Sequence, residues 1–209
     1  MKNQDSLQIF FIRHAETDYG DIGDRDPSDG ELTAKGEQQC IDLGEKLKDL
    51  PIDAYITSSL LRSFRTAAGV CNAKPDKPLL EICPELVECG CTPSYYGCSE
   101  EYLSRYYKNT KMCDKLFGTE NYEFGCEAFE DNVIRAEKVI SYIKNRFSFG
   151  DCVAVFSHHG FLEYLIPTAL GVEPHVFRFA LDNTSITAVE FCRDGNTVLR
   201  CVNNCSDAV

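Results

Sequence analysis

The chain has 209 residues and 44% hydrophobic content, which suits one domain with a sizeable core, or a core plus an insertion. A net charge of −12 argues against nucleic acid or an anionic membrane surface as partner, because both reward clustered Lys and Arg; an anionic substrate must be held by local positive charge. No apolar run is long enough to span a bilayer, and the opening Met1–Ser6 carries no export-type apolar region. A cytoplasmic protein is therefore expected, with its 12 cysteines reduced and used as small hydrophobes.

Ile9-Phe10-Phe11-Ile12 is a β-branched and aromatic run, and it predicts a buried strand that stops at Arg13-His14. Asp18 to Glu31 is rich in Asp and Gly and predicts a loop. Thr33 caps a helix with an apolar face of Cys40, Leu43, Gly44 and Leu47, and Pro51 ends it. Ala54–Thr57 is a short strand. Ser58 or Ser59 caps the next helix, Leu60 to Cys71. Leu79 to Leu86 reads as a strand weakened by Pro84. Residues 89–125 dissolve into Gly, Tyr, Cys and charge, with one helix from Glu100 to Tyr107, and are expected to form an insertion, a lid over the site.

Phe129, Val133, Ala136, Ile140, Ile143 and Phe147 give a helical stripe. Cys152–Phe156 is a buried strand ending at Ser157-His158-His159-Gly160, followed by a helix that Gly171 caps. Val176–Leu181 and Ile186–Phe191 read as strands, the second turning at Asp194-Gly195-Asn196 into Thr197–Val202. Strands alternating with helices predict a single α/β domain over 1–209. Its form is a three-layer α/β/α sandwich with a mostly parallel sheet, helices on both faces and an antiparallel edge.

In such a sheet the carboxyl ends of the strands share one edge, so Arg13, His14, Arg62 and His158 converge there. Two imidazoles and two guanidiniums, without carboxylates or thiols in metal-ligand spacing, suit an anion. Two Arg forks can clamp phosphoryl oxygens, and Arg62 lies at a helix start whose dipole favours negative charge. Cys89, Cys91 and Cys98 cluster without a Cys-x-x-Cys pair, which leaves a zinc site there only a minor alternative; no metal and no other cofactor is expected.

Arg13-His14-Ala15-Glu16-Thr17 resembles the Arg-His-Gly-Glu-Thr signature of the histidine phosphatase superfamily, in the branch that includes cofactor-dependent phosphoglycerate mutase. Leu32-Thr33-x-x-Gly36-x-x-Gln39, Ser58-x-Leu60-x-Arg62-x-x-x-Thr66-Ala67, Leu86-x-Glu88, Ser157-His158-His159-Gly160 and Asn183-x-Ser185-Ile186 are similar to its later blocks, in family order. The resemblance implies that His14 is the nucleophile and forms a phosphohistidine. It also implies that Arg13, Arg62 and His158, as imidazolium, neutralise the phosphoryl oxygens, and that Glu88 is the acid and then the base. Thr17, Gly20, His159 and Gly160 are expected around the phosphate; Gly20 stands where many members carry an Asn, and His159 is bulkier than usual. Glu16 is expected to support its loop rather than react.

The implied activity is metal-independent hydrolysis of a small phosphorylated metabolite, with phosphoserine or a phosphoglycerate-like acid as candidates. The alternatives are a phosphoglycerate mutase, a phosphoprotein phosphatase and a phospho-ligand-binding pseudoenzyme. The segment after Glu88 lacks the basic residues that a mutase of this family uses for a second phosphate. Arg105, Lys108 and Lys111 are spaced for one helical face that could take a carboxylate. The assembly is left open, a homodimer included.

Overall fold

The computed structural model describes residues 4–18, 29–89, 97–114, 116, 127–176 and 178–205. β1 (Ser6–Arg13) is the pivot of the molecule. It pairs in parallel with β7 (Cys152–Ser157) on one side and antiparallel with β8 (Ile186–Cys192) on the other. β4 (Ala54–Thr57), β5 (Leu80–Ile82) and β6 (Thr110–Met112) extend the parallel side, and β9 (Thr197–Asn204) closes the other, in the order β6-β5-β4-β7-β1-β8-β9. A separate ribbon pairs β2 (Thr17–Asp18) with β3 (Glu31–Leu32).

Strand alternation sorts the core into two layers. Leu7, Ile9 and Phe11 of β1 and Val153 and Val155 of β7 pack with α4 (Phe129–Arg146) and α5 (His159–Leu170). Phe10, Ile12, Ala154 and Phe156 point the other way, against α1 (Ala34–Leu47) and α2 (Leu61–Ala73). A run apolar at every position is what a strand covered on both faces requires. The α/β sandwich expected from the alternation of elements is the fold observed.

Several local expectations are corrected. Leu79–Leu86 is not one strand: β5 stops at Ile82, and a 3-10 turn over Pro84–Leu86 carries the chain toward Glu88. Pro84 has no N–H to give a ladder, so the strand ends before it. The helix expected from Glu100 to Tyr107 is α3, Glu100–Leu103 only, and the chain then joins the sheet as β6 beside β5. Lys111 therefore lies on a strand, and Arg105, Lys108 and Lys111 share no helical face. The described part of Val176–Leu181 forms no strand. The buried face of α4 is Asn132, Arg135, Ala136, Val139, Ile140 and Ile143, rotated from the expected stripe and holding two polar residues.

Cys40, Cys71 and Cys152 are buried and Cys192 half-buried, all as free thiols. Cys91 lies outside the described residues, as does much of the 89–125 stretch. No helix among the described residues is long and apolar enough to cross a membrane.

Candidate active site

The sheet register brings the strand ends together. Arg13 pairs with Ser157, and Thr57 with Phe156, so β1, β4 and β7 finish level. The backbone N–H of His14 donates to the Ser157 carbonyl at 3.0 Å, and that of Ser58 to Phe156 at 3.1 Å. His14 and His158 follow directly, both buried, with ring centroids 5.1 Å apart.

The loop carrying His14 is tied at successive positions. Thr66 Oγ1 accepts from Ala15 N–H at 2.9 Å and donates to the Arg62 carbonyl at 2.7 Å. Asn183 Nδ2 donates to the His14 carbonyl at 2.8 Å, and Gln39 Oε1 accepts from Glu16 N–H at 2.8 Å. The Glu16 carboxylate takes Thr33 Oγ1 and Lys35 Nζ, so it joins its loop to the start of α1. Gly36 is needed here, because a Cβ on it would lie 2.1 Å from the Glu16 carbonyl oxygen.

His14 Nδ1 lies 2.7 Å from the Ala15 carbonyl. A carbonyl only accepts, so Nδ1 carries the proton and Nε2 the lone pair. Arg62 Nε donates to that Nε2 at 3.3 Å. His14 is held well below its ordinary pKa, first by burial and then by the Arg62 charge, against the opposing Ala15 hydrogen bond. His158 is lowered in the same way by burial, then by Arg62, and its Nε2 meets Ser58 Oγ at 2.9 Å. In both cases burial and the neighbouring guanidinium favour the neutral ring. The His158 Nδ1 is buried with no hydrogen-bond partner among the described residues.

Arg62 is 2% exposed and starts α2. The cap of that helix is Leu60, whose side chain can accept nothing, so neither Ser58 nor Ser59 holds that position. Two outside acceptors do the work: Ser58 Oγ takes Leu60 N–H at 3.1 Å, and Asp29 Oδ2 takes Leu61 N–H at 2.9 Å. The other oxygen of Asp29 pairs with Arg62 at 3.5 Å, and both side chains are almost wholly buried. Arg13 Nη1 donates to the Leu181 carbonyl at 2.6 Å, tying the segment before β8 to the site.

Glu88 sits at the amino end of α5. Its Oε1 accepts from Cys89 N–H at 2.9 Å and Phe161 N–H at 2.8 Å, and its Oε2 from Gly160 N–H at 3.1 Å. It is thus fixed beside His158, the residue that caps the same helix. His159 turns its Nε2 to the Phe179 carbonyl at 3.0 Å. Thr17 lies in β2 opposite Leu32, on the ribbon. Gly20 lies outside the described residues.

Asp29 and Arg135 were missed from sequence. A helix start at Leu60-Leu61 without a capping side chain signals an acceptor from elsewhere. An Arg among the apolar positions of α4 signals a buried ion pair.

A sheet delivering an Arg-His pair, a second imidazole and a helix-borne guanidinium to one edge is the framework of a phosphoryl-handling protein. The chain belongs to the histidine phosphatase superfamily (branch 1), whose profile matches residues 9–204. It is 41% identical over 68 residues to the "Probable phosphoglycerate mutase GpmB" of Salmonella choleraesuis. That match covers 32% of each chain, so the aligned stretch spans about a third of the curated relative.

Solved structures share the fold over nearly the whole length. The alpha-ribazole phosphatase from Shigella flexneri has a TM-score of 0.67 at 22% identity, covering 97% of this chain and 98% of that one. The phosphoserine phosphatase of Entamoeba histolytica in complex with 3-phosphoglyceric acid has a TM-score of 0.63 at 23% identity, covering 96% and 98%. A mycobacterial glucosyl-3-phosphoglycerate phosphatase has a TM-score of 0.65 at 17% identity, covering 94% and 98%.

Proposed function

We propose that this protein is a phosphomonoesterase that hydrolyses a small phosphorylated metabolite through a phosphohistidine on His14. The observation that carries the reading is the state of that ring. Its proton is fixed on Nδ1 by the Ala15 carbonyl, and its Nε2 lone pair accepts from Arg62 Nε at 3.3 Å, a donor that a phosphoryl oxygen would take over as Nε2 turns to phosphorus. A neutral, oriented imidazole beside a fixed cation is a competent nucleophile for phosphorus.

In the first step Nε2 attacks phosphorus, the bond to the ester oxygen breaks, and Glu88 gives the departing alkoxide its proton. In the second, water attacks the phosphohistidine, Glu88 takes a proton from that water, and His14 leaves as the neutral ring. Arg13 and Arg62 balance the charge on the non-bridging oxygens, and His158 donates a hydrogen bond to them as a neutral ring. Among the described residues no group of three or more His, Cys, Asp or Glu side chains is arranged to hold a metal. The cationic donors of the site are Arg13 and Arg62, which bind the anion directly.

A phosphoserine- or phosphoglycerate-like acid is the favoured substrate class, supported by phosphatases of that kind among the solved structures of this fold. The likeness to a phosphoglycerate mutase supports a second reading, isomerisation through a bisphosphorylated intermediate. Incubation with 3-phosphoglycerate and a trace of 2,3-bisphosphoglycerate separates the two. Phosphate release without a bisphosphate requirement is expected; conversion to 2-phosphoglycerate faster than phosphate release would establish the mutase. A panel of phosphorylated metabolites, read by inorganic phosphate, then identifies the ester.

A further inference from the structure

We infer that Arg135 is a positioning residue for Glu88, a buried guanidinium that fixes the chain on both sides of that carboxylate. The inference rests on the role proposed for Glu88 in proton transfer.

Arg135 has no solvent exposure. Its Nη1 donates to the carbonyls of Glu85 at 2.9 Å and Val87 at 2.8 Å, which fixes the backbone entering Glu88. Its Nη2 reaches Cys89 Sγ at 3.7 Å, on the residue leaving Glu88. The guanidinium carbon lies 3.6 Å from the ring centroid of Phe161, so the group stacks on that ring. Phe161 and Cys89 are two of the three residues whose N–H groups hold the Glu88 carboxylate. One planar group thus touches the residue before Glu88, the residue after it, and the residue across from it on α5.

The charge is balanced on the remaining edge. Glu127 takes Nε and Nη2 in a forked pair, both at 2.7 Å, and Asn132 Oδ1 takes Nη2 at 3.0 Å. A buried ion pair is a poor route to stability compared with apolar side chains of the same volume. What only the guanidinium offers is a rigid plane of five donors that reaches two carbonyls and a carboxylate while stacking on an aromatic ring. Those are the demands of holding a carboxylate in place.

The test compares leaving groups. An acid matters for an alkyl phosphate, whose departing oxygen needs a proton, and little for an aryl phosphate. Arg135→Met fills the volume and removes the fork. It should lower kcat/KM, which reports the step in which the ester oxygen departs, by roughly 10-fold or more on an alkyl phosphate and by less than about 3-fold on an aryl phosphate. Added to Glu88→Gln it should not widen the alkyl-to-aryl ratio further, because both act on one group.

Equal losses on the two substrates, or full additivity with Glu88→Gln, overturn the inference. If the Met variant does not fold, Arg135→Lys replaces it, with the same selective loss expected in smaller measure and an equal loss overturning. Glu88→Gln alone, if it lowers kcat/KM equally on both substrates, overturns the underlying role of Glu88 as the acid; a selective Glu88→Gln beside an unselective Arg135 variant overturns only the positioning role.

Discussion

Gly160 and Glu88 approach more closely than any side chain on residue 160 would permit. A Cβ there would stand 2.7 Å from Glu88 Oε1, while the Gly160 N–H donates to Oε2 at 3.1 Å. The glycine is a requirement of contact with the carboxylate. Gly160→Ala must push Glu88 off the end of α5 or strain the helix start. A destabilisation of about 1–3 kcal/mol is expected, as for overpacking in a closed site. Turnover of alkyl phosphates should fall more than that of aryl phosphates. Denaturant melts and the two rates check this; a variant with native stability and unchanged rates would remove Glu88 from the contact.

The nucleophile is tested directly. His14→Ala should abolish turnover, and rapid quenching of the wild type under non-acidic conditions should trap phosphate on His14. Arg62→Ala should cost on the order of 10²–10³ in kcat, the scale for losing one charge-stabilising donor. Retention of most activity by His14→Ala would sink the assignment.

Asp29 offers a separable pair of functions. It accepts the Leu61 N–H and balances the buried Arg62 charge. Asp29→Asn keeps an acceptor for the helix start and loses the charge, whereas Asp29→Ala loses both. The Ala variant should be destabilised by roughly 3–5 kcal/mol, as when one partner of a buried pair is removed. The Asn variant should lie nearer the wild type by about 1 kcal/mol, the usual value of a cap. Urea midpoints distinguish them, and identical midpoints would show that the cap contributes nothing.

Acidification has a signed effect. His14 and His158 are held below the ordinary value of 6.5, chiefly by burial and then by Arg62. Between their folded values and 6.5 the unfolded chain binds protons that the native state refuses, so stability falls as pH falls through that window. Above 6.5 the contribution is constant. The denaturant midpoint should drop from pH 7 toward pH 5, and less steeply in His14→Gln. The acid limb that the free enzyme contributes to kcat/KM should lie below 6.5, because the nucleophile stays neutral there. A limb centred at 6.5 or above would contradict the burial argument.

Chelation should leave the rate unchanged, since the side chains proposed to meet the phosphoryl oxygens, Arg13, Arg62 and His158, are donors that favour an anion over a divalent ion. A chelated enzyme that regains activity only on addition of Mg²⁺ would refute the mechanism.

Much of the site could be read from sequence because its parts are local. Ile9–Ile12 is apolar at every position, which only a two-sided strand explains, and it stops at Arg13-His14. Cys152–Phe156 behaves alike before His158. What escaped were features set by distant partners. Asp29 sits in an acidic loop that reads as solvated, yet it is fully buried because the open start of α2 needs an acceptor. β6 has polar residues and only partial burial, so its sequence carries no alternation; it is a strand because β5 presents an edge to it. Val176–Leu181 has strand-like composition, but its described residues spend their hydrogen bonds on the site: Phe179 and Leu181 give their carbonyls to His159 and Arg13.

The pairing of β1 also bears on how the protein is made. Gln8 is matched with Cys152 and Phe10 with Ala188, so both neighbours of β1 come from the last third of the chain. On the ribosome, with synthesis at roughly 5–20 residues per second, Ile9–Ile12 emerges many seconds before either partner exists. Throughout that interval it is an apolar segment with neither sheet partner, the kind of segment that chaperones bind and that seeds aggregation. The histidine proposed to carry the phosphoryl group stands at the tip of that long-unpartnered strand.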